Sequence, residues 1–194
     1  MMLRQEVYEL DVDALERGEE QRVKLFSTAF HNCQIQRLQA RGANRHAVFL
    51  VTESEAITYH YELDLRAELQ PDPRIAHTLN LRIDEYGNVL ESVAITYPRL
   101  GRHADTNLPA GAEAPIARVQ QERHLIYTEN RLTQDVIETD AYRLRLPCEV
   151  KTYELTGIAP AEGFYYTLAE LRSARIGTAI PEIPYHVLPN GLKG

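Results

Sequence analysis

Between Ile75 and Tyr97, large apolar residues recur at every second position on either side of a short polar break. A period of two marks strands with one buried face. Asp84, Glu85, Tyr86 and Gly87 fill the break, followed by Asn88. Asp at the first position of a turn accepts backbone hydrogen bonds, and glycine at the last tolerates positive φ. The stretch therefore predicts a three-residue hairpin loop, a type I turn closed by a G1 bulge. With Asp84 opposite Asn88, Ile83 faces Val89, Leu81 faces Glu91, Leu79 faces Val93, His77 faces Ile95 and Ile75 faces Tyr97. The other side pairs Arg82 with Leu90, Asn80 with Ser92, Thr78 with Ala94 and Ala76 with Thr96. One face is mainly large and apolar and the other small and polar, so a slip of one residue would mix them.

Elsewhere the pattern is less regular. "RQEVYELDVD" reads as a short strand and "ALERGEEQ" as an acidic connector with one helical turn. Val23 to Gln39 fits neither period well and is assigned to strand on its β-branched and aromatic residues. "ARGAN" is a turn. "RHAVFLV" is a continuous apolar run, as a buried strand would have. "TESE" reads as a second turn before the alternating "AITYHYEL", which predicts a hairpin of 45–51 with 56–64. "QPDPR" breaks the chain. Residues 98–115 form a long Pro-, Gly- and Ala-rich loop, expected to be flexible. A short helix is expected from Pro115. "RHLIYTENRL", "DVIETD" and "CEVKTYELTG" read as strands. "TLAELRSAR" reads as a helix, with a capping box from Thr167 to Glu170 and with Arg172 and Arg175 at its end. The tail "IPEIPYHVLPNG" is extended. The fold class is all-β, mainly antiparallel hairpins in a meander, with one or two short helices. Residues 1–194 read as a single β-rich domain or as a segment of a larger sheet.

Composition narrows the function. The 194 residues carry a net charge of −7, which disfavours nucleic acid and anionic membranes as partners. No apolar run reaches the length of a membrane span. The N-terminal stretch lacks the apolar core of a Sec signal, so synthesis in the cytoplasm and export by another route are expected. The two cysteines, Cys33 and Cys148, have no metal-ligand spacing, and nothing in the sequence supports a disulfide between them.

Candidate chemistry is sparse. There is no GxSxG elbow, HExxH, GxGxxG or GKS/T motif. Cys33 lies two residues from His31, but a half-buried Cys beside a surface His is the simpler reading. The seven histidines are scattered; His60 and His77 are candidates for cross-strand neighbours. "DVDALERGEE" lacks the spacing of a calcium loop. Arg37, Arg41, Arg45 and His46 cluster around a turn and could grip an anion, although ion pairing at a turn or interface explains them as well. Tyr59 and Tyr61, or Tyr165 and Tyr166, could stack on a sugar, although core and interface packing is the commoner use. No catalytic, cofactor-binding or metal-binding residue is assigned. Asp84, Glu85, Tyr86, Gly87 and Asn88 are assigned as a structural hairpin turn.

"IDEYGNVLESV" resembles a unit of the RHS/YD type, in which an acidic residue, an aromatic and a glycine close a hairpin. Together with "LQARGANRHAVFLV", "ITYHYE", "DPRIAHTLNLRIDEYGNVLESVAITYPR", "IYTENRLT" and "LPCEVKTYELTG", it makes the chain similar to the middle-to-C-terminal region of the B component of bacterial insecticidal toxin complexes (Tc toxins). These phrases occur in the family's order over residues 3–175. "YPRLGRHADTNLPAGAEAP" departs from the Gly-containing, more basic run expected there.

The resemblance implies a structural role. In that family the B and C components form a hollow shell of spiralling strands around the toxic C-terminal part of C, and a propeller in B docks the shell onto the channel-forming A component. The implied partners are the remainder of B, the C component and, indirectly, the A channel, with no direct membrane insertion and no cofactor. The implied destination is extracellular, as part of the complex. A stand-alone carbohydrate- or protein-binding module of adhesin type is the alternative, and an enzyme is the third reading.

Overall fold

The alternation around residues 75–97 lies within a seven-stranded antiparallel sheet. The structure, a computed structural model, describes residues 2–10, 16–18, 23–61, 72–101, 108–109 and 111–174. The strands are β1 (Arg4–Leu10), β2 (Val23–Gln39), β3 (Val48–His60), β4 (Arg74–Ile83), β5 (Val89–Thr96), β6 (His124–Leu132) and β9 (Pro147–Leu155). They lie in the order β1-β2-β3-β4-β5-β6-β9. Between β6 and β9 the chain forms a small ribbon, β7 (Val136–Ile137) with β8 (Tyr142–Arg143). Helix α1 spans Glu113–Gln120 and α2 spans Leu168–Ser173. The chain divides into two compact units, Met1–Ile158 and Ala159–Gly194.

In the first unit the large-residue face of the hairpin is the core. Ile75, His77, Leu79 and Leu81 of β4 are buried, as are Val93, Ile95 and Tyr97 beside them and Leu125 and Tyr127 of β6. On the opposite face Ala76, Thr78, Ala94 and Thr96 are exposed. Six pairs take the expected register, from Ala76–Thr96 to Asn80–Ser92 and again at Ile83–Val89. The exception lies between them: Arg82 pairs with Glu91, not with Leu90, and Leu81 drops out of the ladder. The Arg82 guanidinium reaches the Glu91 carboxylate at 2.5 Å, an attraction that Leu90 could not supply.

The expected hairpin of 45–51 with 56–64 does not form. Strand β3 runs without reversal through Thr52–Glu55, pairing with β2 on one side and β4 on the other. "TESE" contains no Gly or Pro to enforce a turn, and its polar residues find partners inside the sheet. The extra residue is absorbed as a β-bulge. Asn32 pairs with Glu55 and Cys33 with Glu53, so Ser54 has no opposite number and is buried. Glu53 and Glu55 consequently point to opposite faces. Glu53 bonds His31 of β2 at 2.7 Å, and Glu55 bonds His77 of β4 at 2.8 Å on the core face. "RHAVFLV" also departs from its expected burial: Val48, Phe49 and Val51 are exposed, because β4 stops pairing with β3 before reaching them.

Helix α1 starts at Glu113, so Pro115 sits in its first turn, where a missing N–H costs nothing. "DVIETD" supplies only the two residues of β7. Arg99 is held at the start of the 98–115 segment by Asp72, at 3.0 Å, and by a backbone bond to the Gln120 carbonyl at 2.8 Å. Residues 102–107 and 110 of that segment lie outside the described residues, as do 62–71, most of "ALERGEEQ", Arg175 and the tail.

In the second unit, Thr167 caps α2 by accepting the Glu170 N–H at 3.3 Å, and its hydroxyl donates to the Glu170 carboxylate at 3.0 Å. Tyr166 and Leu171 are buried there.

Candidate functional site

The most connected side chains of the sheet gather at the β4–β5 turn. Gly87 N–H donates to the Asp84 carbonyl at 3.1 Å, Asp84 N–H to the Asn88 carbonyl at 3.0 Å, and Gly87 has φ +91. The Asp84 carboxylate fills the loop. It accepts from the backbone of Tyr86 at 3.0 Å and of Asn88 at 2.8 Å, and from the Asn88 amide at 3.0 Å. These are the local bonds that an Asp at a turn's first position can make.

A second element grips the turn from outside. Thr133 N–H donates to the Leu146 carbonyl at 2.8 Å, and Leu146 N–H to the Thr133 hydroxyl at 3.0 Å, which closes the base of the β7–β8 ribbon. Asp135 and Arg145 are thereby brought side by side. Asp135 Oδ2 accepts from Arg145 Nη2 at 2.7 Å, and Oδ1 from the Arg145 backbone at 2.5 Å. The same guanidinium reaches Asp84 Oδ2 at 3.2 Å and Glu85 Oε1 at 2.8 Å, and lies over the Tyr86 ring at 4.7 Å. One planar cation thus meets three carboxylates and an aromatic face, a combination suited to Arg and not to Lys.

The charges follow this geometry. Burial pushes the Asp84 carboxyl up, but the bonds from Asn88 and Tyr86, with the Arg145 charge, outweigh it and hold Asp84 below the ordinary carboxylate range. The Arg145 bond lowers Asp135 in the same way, and Asp135 in turn makes Arg145 harder to deprotonate. Chemically the arrangement is a joint. It fixes the angle and register of a hairpin and binds one loop to another.

A second cluster lies on the core face. His77 Nε2–H donates to Glu55 and Nδ1 accepts from the Tyr97 hydroxyl at 2.9 Å, the pattern a neutral imidazole provides. Burial depresses its pKa below 6.5, against the raising effect of Glu55. Tyr127 is also buried, and burial together with the carboxylates of Glu91 and Glu129 pushes its hydroxyl up.

The other candidates separate. His60 faces Arg74 and His77 faces Ile57, so the two histidines are not cross-strand neighbours. His31 bonds Glu53 and is not paired with Cys33. Cys33 and Cys148 are both free thiols. Tyr59 packs edge-on to Phe30, and Tyr165 packs edge-on to Phe164 while Tyr166 is buried, so neither pair offers two open rings. Among the described residues no three His, Cys, Asp or Glu side chains converge as a metal site. Arg37, Arg41 and Arg45 form no ion pair among the described residues. Arg145 and Asp135 were not singled out by sequence reasoning. The available signal was the acidic "IDEY" turn, whose uncompensated carboxylates call for a cation from a distant loop.

Residues 1–146 match the family described as "Insecticide toxin TcdB middle/C-terminal region". Among curated proteins none matches this sequence. Solved structures provide the fold comparison. The chain is similar to part of the TcdB2-TccC3 crystal structure, with a TM-score of 0.52 and 21% identity over 82% of this chain. It is likewise similar to TcdB2-TccC3 without its hypervariable C-terminal region, with a TM-score of 0.54 and 22% identity over 79% of this chain. In each case it spans 7% of the solved chain. The residues matched by the family span the 84–88 turn and Arg145. The chain belongs to the TcdB insecticide-toxin middle/C-terminal family.

Proposed function

We propose that this chain is a structural segment of a toxin B component, contributing β-strands to a hollow shell that B and C build around the toxic C-terminal effector. The observation that carries the reading is the form of the sheet: among the described residues its order ends at β1 on one side and β9 on the other, so both outer edges can accept further strands. Unpaired edges are a liability in an isolated domain and a joining surface in a larger assembly. The RHS/YD-type turn fits this role, since it returns the chain at a fixed register and is held in place by Arg145. On this reading the work is done by backbone ladders and no catalytic group is needed. The partners are the remainder of B and the C component, with the A-component channel reached indirectly. The chain is made in the bacterial cytoplasm and leaves the cell within the complex as a virulence factor.

The test is co-expression with the flanking B segments and the C component. Solubility and protease resistance should both rise, and the chain should co-purify with them. Unchanged behaviour would reject the shell role. Glycan-array binding by the isolated chain, lost on Tyr59→Ala or Tyr61→Ala, would favour the binding-module reading instead.

A further inference from the structure

Strands β2 and β3 extend beyond their neighbours. β1 pairs with β2 only as far as Phe30, and β4 pairs with β3 only from Glu55 upward. Residues 33–53 therefore project as a two-stranded arm ending in the 40–47 turn. Ile35 stands directly opposite Val51, and Arg37 opposite Phe49, so these four share one face. That face is open: Ile35 is 64% exposed, Phe49 54% and Val51 47%. The other face carries Gln34, Gln36, Leu50 and Thr52, the last two lying where a side chain on Gly87 would touch them.

Apart from Glu53 at its base, whose carboxylate is engaged by His31 at 2.7 Å, the arm also has one sign of charge. Residues 34–52 contain Arg37, Arg41, Arg45 and His46 and no Asp or Glu, in a chain whose net charge is −7. The three arginines make no ion pair among the described residues. The β3 side of the arm is engaged at Glu53, whose carbonyl accepts from the Asn80 amide at 2.8 Å, whereas the β2 side has no ladder partner beyond its pairing with β1 among the described residues. An apolar strip bordered by cations without ion pairs among the described residues and by this β2 edge combines three recognition features. Burial favours aliphatic side chains, the cations select carboxylates, and a free edge accepts an extended backbone. A basic nucleic-acid site would pair its cations with stacking surfaces, whereas two of the three exposed residues here are aliphatic.

We propose that the 33–53 arm is a docking site for an acidic, apolar protein segment, bound as an added strand whose aliphatic side chains cover Ile35, Phe49 and Val51 and whose carboxylates meet Arg37, Arg41 and Arg45. The inference goes beyond the shell reading and does not rest on it, because it concerns the isolated chain and a soluble partner. The probe is a fluorescein-labelled peptide whose one strand face carries two valines followed by two glutamates, with threonine at the alternate positions, titrated into the whole chain by fluorescence anisotropy, with the same peptide carrying lysine in place of glutamate as control.

The acidic peptide should bind, the basic one should not, and binding should weaken in about 0.5 M sodium chloride through screening. Reversing the three arginines together to Glu should weaken binding by about tenfold or more, as should Ile35→Ser with Val51→Ser. Circular dichroism identifies any variant that fails to fold, and for such a variant Arg41→Gln with Arg45→Gln, confined to the exposed turn, gives the decisive reading. Four results would overturn the proposal: no saturable binding, equal binding of the two peptides, displacement of the peptide by a single-stranded oligonucleotide at lower concentration, or sedimentation showing a dimer that the arm variants dissociate.

Discussion

Arg145 and Asp84 are 61 residues apart in the chain, yet Arg145 Nη1 stands 3.2 Å from Asp84 Oδ2. The contact ties the connection between β6 and β9 to the turn between β4 and β5. These connections belong to different hairpins, so the pair sets an angle that neither hairpin determines alone.

Arg145→Ala should lower the melting temperature by several degrees and speed proteolysis at 133–146 and at the 84–88 turn. Arg145→Lys should restore only part of the loss, since an ammonium cannot address Asp135, Glu85 and the Tyr86 face together. A lysine variant as stable as the parent would show that charge alone suffices.

Asp84→Ala removes the acceptor for the Tyr86 and Asn88 N–H groups as well as an Arg145 partner. Urea unfolding should show a loss of about 1–2 kcal/mol. A double-mutant cycle with Arg145→Ala should be non-additive, because the two residues share one network.

Gly87→Ala should destabilise the protein by about 1–2 kcal/mol, the cost of a Cβ at positive φ. The added methyl would meet Thr52 Cγ2 at an ordinary 3.5 Å, so the penalty lies in the backbone. Gly87→Asn should therefore cost less than Gly87→Ala although it is larger, and the reverse order would point to crowding.

His77 sets a pH dependence. Its native pKa is held below the unfolded value of 6.5, first by burial. The unfolded chain thus takes up a proton more readily, and stability rises with pH through that interval. Its contribution is complete above pH 6.5 and is lost as pH falls toward the lowered native value. Urea midpoints from pH 5 to 8 should show this slope, and His77→Gln should flatten it.

Tyr97→Phe deletes the hydroxyl bonded to His77 Nδ1 and leaves the ring contact in place. A loss of about 1 kcal/mol is expected at pH 7, measured by chemical denaturation.

The hairpin was legible because two independent signals agreed: the alternation of Ile75 to Tyr97, and the chemistry of Asp84 and Gly87. The two misread rungs, Leu81 with Glu91 and Arg82 with Leu90, gave way to one, decided by attraction between Arg82 and Glu91, which periodicity does not register. "TESE" misled because polar residues are common in turns. Here they sit inside a strand whose neighbours, His31 and His77, supply the partners, and such tertiary compensation is invisible locally. Arg145 was missed for the same reason, since nothing around it in sequence calls for three carboxylates. The basic run at 37–46 is plain in the sequence, but that it forms no ion pair among the described residues follows only from the fold.

Ser54 is a phase shifter. Were it paired in a regular ladder, Phe49 and Val51 would keep step with Ile57 and Tyr59 and turn toward the interior side of the sheet. The one unmatched residue advances the strand by half a period, so a single chain serves two masters, feeding the core with one half and offering its greasy side outward with the other. Deleting that residue would set Glu53 beside Glu55 in plain alternation and erase the bulge while leaving the arm's two sides as they are, whereas pairing Ser54 into the ladder would exchange them.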